Sequence, residues 1–179
     1  MKALYSISIL LVSMMTTTTG KYQTQTGAVG LVFDLTLGEM KASTDKATST
    51  LDFSAEEVHF SMEVNSFRFE NPVLEKQFKE VYMEADKYPK TTFIGKFKQV
   101  IDFNSTREQS VEVNGTLQMH GITKSRTIPA IITVKEGKLH VRSEFMVKAS
   151  DHGINIPSVF FTSGKDEIKV VLDADYMKM

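Results

Sequence analysis

The sequence contains no cysteine. That absence excludes disulfides, thiolate metal sites, a cysteine nucleophile and a lipid-modified cysteine together. The core must hold the fold unaided, which a single domain of 179 residues can do. An excess of one charge is missing too: 21 basic residues face 22 acidic ones, mixed along the chain without long runs. Nucleic acid requires a concentrated basic patch and an anionic membrane surface a polybasic segment, and the chain has neither. Catalytic signatures of fixed spacing are also absent. There is no H-x-x-x-H pair, no G-x-S-x-G turn, no G-x-G-x-x-G and no phosphate loop. Neither an internal repeat nor a strand–helix alternation occurs, which argues against a second domain or a parallel sheet.

What is present begins with a leader. Lys2 precedes the mostly apolar run from Ala3 to Met15, and small and polar residues follow to Gly20. This is the layout of a secretory signal peptide, too short to span a bilayer comfortably. Residues 1–20 are assigned to it, with cleavage expected between Thr19 and Lys21. Residues 21–179 then form one exported domain, periplasmic or extracellular.

From Val29 onward apolar residues alternate. Val29, Leu31, Phe33 and Leu35 share one face, as do Val58, Phe60, Met62 and Val64, with Phe67 and Phe69 following. Period two over such lengths means strands with one buried face. Between these runs Lys41 to Thr50 is Ser, Thr, Ala and Lys, which reads as a solvated edge strand or loop, with a strand from about Thr48 to Phe53. Later strands are expected around Phe93–Phe97, Val111–Met119, Ile128–Val134, Leu139–Val147 and Ile168–Tyr176. A turn is placed at Gly121–Lys124 and a hairpin at Glu136-Gly137. About eight short-turned strands imply an all-β fold, an antiparallel sandwich or barrel.

One helix interrupts them. Asn71 is a good N-cap, and Pro72 suits the first helical position, where a missing N–H costs nothing. Leu74, Phe78, Val81, Tyr82 and Ala85 make an apolar stripe at helical spacing, and Glu75 and Lys79 pair four apart. Pro89 ends the segment and biases Tyr88 toward extended geometry.

Candidate chemistry is sparse. Of the four histidines, His59, His120 and His140 fall opposite buried faces, so with His152 they read as solvated rather than as converging metal ligands. Glu84 and Asp86 read as a solvated helix terminus rather than an acid–base pair. The stronger signal is aromatic, with 12 phenylalanines, several on inward faces. An eight-stranded barrel either fills its interior with side chains or holds one small ligand. Ser143 and Gly115 on inward faces would free volume inside.

Three stretches carry a family resemblance. They are Tyr88-Pro89-x-x-x-Phe93-x-Gly95, the segment Val113-Asn114-Gly115-Thr116-Leu117-Gln118-Met119-His120-Gly121-Ile122-Thr123-Lys124, and Asp151-His152-Gly153-Ile154. In that order they resemble the YceI family of exported proteins. The resemblance implies an antiparallel eight-stranded lipocalin-like β-barrel whose inserted helix flanks the barrel mouth. It also implies a polyisoprenoid or similar lipid in the lumen, with no catalysis, cofactor or metal. The expected lumen and flap residues are Phe33, Phe60, Met62, Phe67, Phe69, Leu74, Phe78, Tyr82, Phe93, Phe97, Leu117, Met119 and Phe145. A charged headgroup would stay at the mouth, near Lys76, Lys79 or Arg68. Gln77 stands where relatives often carry a histidine. The expected partners are the lipid or isoprenoid ligand, a second copy in a homodimer, and a membrane protein that donates or accepts lipid. The competing readings are a small barrel enzyme acting on lipid and a solid-core interaction protein.

Overall fold

Strand alternation closes on itself in the computed structural model, which describes residues 20–162 and 166–179. The expected leader up to Thr19, and Ser163 in the late connection, lie outside the described residues. Among the described residues nine strands form: β1 (Lys21–Leu35), β2 (Gly38–Asp52), β3 (Glu57–Glu63), β4 (Arg68–Phe69), β5 (Lys90–Lys96), β6 (Gln109–Met119), β7 (Ile122–Lys135), β8 (Lys138–Lys148) and β9 (Glu167–Lys178). Their order is β1-β9-β8-β7-β6-β5-β3-β2, and β1 pairs with β2 to complete an antiparallel eight-stranded barrel. The two-residue β4 attaches to β2 through Ala42–Phe69 and Ser43–Arg68.

The long β2 corrects the expectation of a solvated stretch at Lys41–Thr50. Ala42, Thr44, Ala47, Ser49 and Leu51 are buried, so this polar-looking run is a full barrel stave. Its inward residues are small or hydroxylated, and hydropathy alone does not separate them from their outward neighbours. The alternation also slips between Thr44 and Ala47, where β1 and β2 shift register. A bulge of this kind hides the period-two pattern.

Two tight hairpins follow one rule. His120 and Gly121 have φ of 51° and 75°, and Glu136 and Gly137 have 52° and 76°. Positive φ at both central residues is the type I′ geometry that matches strand twist. The first turn is therefore His120-Gly121, not Gly121–Lys124, and β7 starts early at Ile122. Thr123 and Lys124 pair with Gln118 and Leu117.

One seam in the barrel is only half zipped. β7 and β8 pair from Ile131–Arg142 to Lys135–Lys138, whereas β6–β7 and β8–β9 run nearly full length. Pro129 stands where the ladder stops, and a proline has no N–H to give it. Side chains bridge the gap instead. Ser143 Oγ donates to the Pro129 carbonyl at 2.6 Å, and Arg126 Nη1 to the Met146 carbonyl at 2.6 Å. The turn Ala149–His152 packs beside this seam, with His152 Nδ1 3.1 Å from the Ile122 carbonyl.

The barrel has two unlike ends. At one end the β2–β3 turn and the β5–β6 connection bring Tyr22, Phe53, Phe97 and Phe103 together, with ring centroids 5.1–5.8 Å apart. These rings and buried Ile101 make a closed floor. At the other end the segment between β3 and β5 lies over the mouth as a flap. Helix α1 (Pro72–Gln77) starts as the sequence requires, with Asn71 Oδ1 accepting from the Val73 and Leu74 N–H groups at 2.9 and 3.4 Å.

Candidate functional site

The flap is seated by aromatic rings. Phe78 lies 5.8 Å from Phe67 and 5.0 Å from Phe69, and Phe69 meets Phe33 at 6.3 Å. At Phe78 the α-helix passes into a π turn over Phe78–Tyr82, and the Met83 N–H reaches back to the Phe78 carbonyl at 2.9 Å. The extra residue rotates the later face. Val81, expected in the apolar stripe, is therefore 65% exposed, while Met83 is buried. Glu75 fixes the near end of the flap. It holds Lys79 at 2.6 Å and Arg68 at 3.3 Å, and accepts from the Phe69 N–H at 3.0 Å. The Lys79 ammonium, with Arg68 and the Phe69 amide, holds the Glu75 carboxyl below the usual carboxylate range.

The far corner of the flap is latched by a cluster that strand alternation did not reveal. His120 lies 2.8 Å from Glu84 through Nε2 and 3.1 Å from the His152 carbonyl through Nδ1. The Tyr88 ring meets the His120 ring edge-on at 4.6 Å. His152 is fully buried, and burial pushes its pKa below the ordinary histidine value. The expectation of solvated histidines is thus corrected for His120 and His152, while the Glu84 side chain remains 44% exposed. A His-Gly pair in a I′ turn directs the imidazole back over the flap corner, where Glu84, itself at φ 43°, meets it. A turn near Gly121 was readable; its register and its long-range partner were not.

Between floor and flap lies one apolar lumen. Phe33, Phe60, Met62, Phe67, Phe78, Tyr82, Phe93, Phe97, Leu117, Met119 and Phe145 line it. Phe69 and Leu74 do not; Phe69 props the flap from behind, and Leu74 is half-buried on α1. Lys76, Lys79 and Arg68 stay outside, each within 4 Å of a carboxylate, and Gln77 is exposed. Sequence reasoning missed the lining residues Ser49, Thr91, Met83, Ile154, Ile156 and Tyr176. Ile154 and Ile156 come from the irregular connection after β8, which has no period to read.

Gly95 and Gly115 pair directly across β5 and β6. A Cβ on Gly95 would come within 2.8 Å of the Phe93 ring, and one on Gly115 within 2.7 Å. The volume these glycines release is thus occupied by Phe93 rather than left open. The remaining cavity is about 140 Å³, close to the ~150 Å³ that stays dry when lined by apolar side chains. It is narrower than the ~300–1,000 Å³ of ordinary ligand pockets. The lining methionines Met62, Met83 and Met119 are the residues best able to re-pack around a guest.

Polar groups in the wall are few and uncharged. No Asp, Glu, Lys, Arg or His among the described residues lines the lumen. Nor do the described residues bring three or more His, Asp or Glu together as a metal site. Ser49 Oγ and Thr91 Oγ1 are buried without hydrogen-bond partners, and burial raises the pKa of the Tyr176 phenol beside Ser49. Such a lumen can take up an apolar chain, and it holds no carboxylate or imidazole to move a proton.

A closed antiparallel barrel with a floored lumen, uncharged among the described residues, and a latched flap defines a lipocalin-like binding architecture. The chain belongs to the YceI-like domain family, which it matches over residues 13–176. Several solved structures share the fold. A Saccharophagus degradans protein, described as a polyisoprenoid binding domain implicated in plant cell wall breakdown, superposes with TM-score 0.72 at 14% identity, covering 90% of this chain and 99% of that one. Burkholderia cenocepacia BcnA gives 0.69 at 15% identity, covering 84% and 95%. A Campylobacter jejuni YCEI protein gives 0.57 at 16% identity, covering 100% and 93%. At these identities the likeness is one of fold alone. No curated protein matches the chain in sequence.

Proposed function

We propose that this protein is an exported, non-enzymatic carrier or store that shields one long apolar chain, an isoprenoid, quinone or fatty-acyl group, inside its barrel. The observation that carries this reading is the lumen, closed at the floor and lined by apolar side chains, with no charged group among the described residues. Each methylene moved from water into such a wall is worth about 0.8 kcal/mol, so a chain needs few polar contacts to bind. The S. degradans neighbour, a polyisoprenoid binding domain, supports the choice of chain. Export rests on the leader, Lys2 followed by the apolar run to Met15. A membrane protein that hands lipid over and a homodimeric copy are the partners such a carrier would use.

The narrow cavity favours one competitor, a solid-core interaction protein. Mass spectrometry of an organic extract of the purified mature protein separates the two. The carrier reading expects one lipid near stoichiometric amount. An extract free of lipid, from protein purified without detergent, would overturn it.

A further inference from the structure

The hydroxyls near the floor of the lumen are grouped. Ser49 on β2 pairs with Thr24 on β1. Gln23, next to Thr24, pairs with Met177, next to Tyr176, on β9. Three hydroxyl side chains on three neighbouring strands thus come together, with exposures of 5%, 6% and 2% for Ser49, Thr24 and Tyr176. Thr24 Oγ1 is engaged by the Thr26 N–H at 3.4 Å. Ser49 Oγ makes no hydrogen bond of good geometry, and its contact with the Tyr176 phenol only partly offsets the effect of burial on that phenol. Both side chains face the lumen. A buried hydroxyl without a partner is costly, and a wall built only to be apolar would use Ala and Phe at these positions.

We propose that Ser49 and Tyr176 form a head subsite at the floor of the lumen for a compact, uncharged hydrogen-bonding group, a hydroxyl or carbonyl, at one end of the apolar chain. The ligand then enters head first and leaves its tail toward the flap. This rests on the lumen-binding reading and deepens it. Phosphate and carboxylate heads are excluded from this position because no cation among the described residues lines the wall to compensate a buried charge. The cations outside the mouth are already paired with Glu75 and Glu80. Burial keeps the Tyr176 phenol a neutral donor, and the Ser49 hydroxyl can donate or accept. The other inward hydroxyls differ. Ser143 is spent on the Pro129 carbonyl, and Thr91 stands alone on β5, opposite Met62 and nearer the flap.

The test uses delipidated mature protein loaded with N-phenyl-1-naphthylamine, displaced in turn by dodecane, 1-dodecanol and dodecyl phosphate. Without a polar partner inside, the alcohol must bind more weakly than the alkane, since its hydroxyl is desolvated for nothing. With the subsite, 1-dodecanol binds at least as tightly as dodecane, and dodecyl phosphate is the weakest. Ser49→Ala and Tyr176→Phe each weaken the alcohol roughly three- to tenfold and leave dodecane unchanged. A wild-type alcohol weaker than the alkane overturns the subsite while the lumen reading stands. So does a loss of alcohol binding in Thr91→Val but not in Ser49→Ala. If none of the three chains displaces the dye, the lumen reading falls and the subsite with it.

Discussion

Replacing Phe78 with alanine isolates what the flap does. The ring is 8% exposed and lies against Phe67 and Phe69 at the point where α1 becomes a π turn. A buried phenylalanine removes ~150–250 Å² from water, worth about 4–6 kcal/mol at ~25 cal/mol per Å². Alanine keeps part of that and the neighbours relax, which brings the expected loss to about 3–5 kcal/mol. The loss falls on the flap rather than the staves, because the corner remains tied by Glu84 to His120 at 2.8 Å and by the Val64 N–H to the Pro89 carbonyl at 2.8 Å. If even 1.4 kcal/mol of it goes into local opening, the open population rises about tenfold. Hydrogen exchange at the flap amides and dissociation of a bound fluorescent chain should therefore both speed up by a factor of ten or more. Amides in β8 and β9 should stay protected. Unchanged flap exchange with unchanged release would refute the idea that Phe78 closes the mouth.

Other expectations follow from single contacts. Gly115→Ala drives a methyl into the Ile94 carbonyl oxygen and to 2.6 Å from the Gly95 Cα; the paired backbone cannot yield, so urea denaturation should show a loss of about 1–3 kcal/mol or more. Gly137→Ala meets nothing within 4 Å but must hold φ of 76°, which costs about 1–2 kcal/mol; a Gly115→Ala variant milder than this one would contradict the close approach. His152 is buried with its pKa below the free value of 6.5, so the unfolded chain takes up the proton first as pH falls. The associated stability is fully present above about 6.5 and lost progressively below it. His152→Asn, which keeps a donor for the Ile122 carbonyl, should shrink the drop in urea midpoint between about pH 7.5 and pH 5; an unaltered drop would clear His152 of the effect. His120→Leu should release the flap corner, seen as faster exchange at the amides of residues 84–88, and unchanged exchange there would show that the latch does not hold it.

Much of this arrangement was legible in the chain. Asn71-Pro72 marked the helix start because both residues act locally, and Glu75–Lys79 paired because four residues make one helical step. The alternating phenylalanines pointed inward wherever the period held. What stayed hidden depended on partners distant in sequence or on a one-residue slip. Most of β2 looked like a solvated edge strand or loop because its inward residues are Ala, Thr and Ser, which become core only once β1 and β3 flank them. The π turn moved Val81 out and Met83 in, and no sequence period records an inserted residue. Pro129 looked like an ordinary strand residue, yet it coincides with the point where β7 and β8 part. Ser49 and Tyr176 lie 127 positions apart, and only barrel closure through β1 brings them together.

The most direct measurement of the central claim is a crystal structure of the mature protein purified from its source without detergent. A continuous rod of non-protein density is expected to run from the flap at Phe78 past Phe93 to the floor near Tyr176, with Met62, Met83 and Met119 moved aside to admit it. A lumen filled only by the protein's own side chains, with those methionines in place and no lipid recovered from the same crystals, would contradict it.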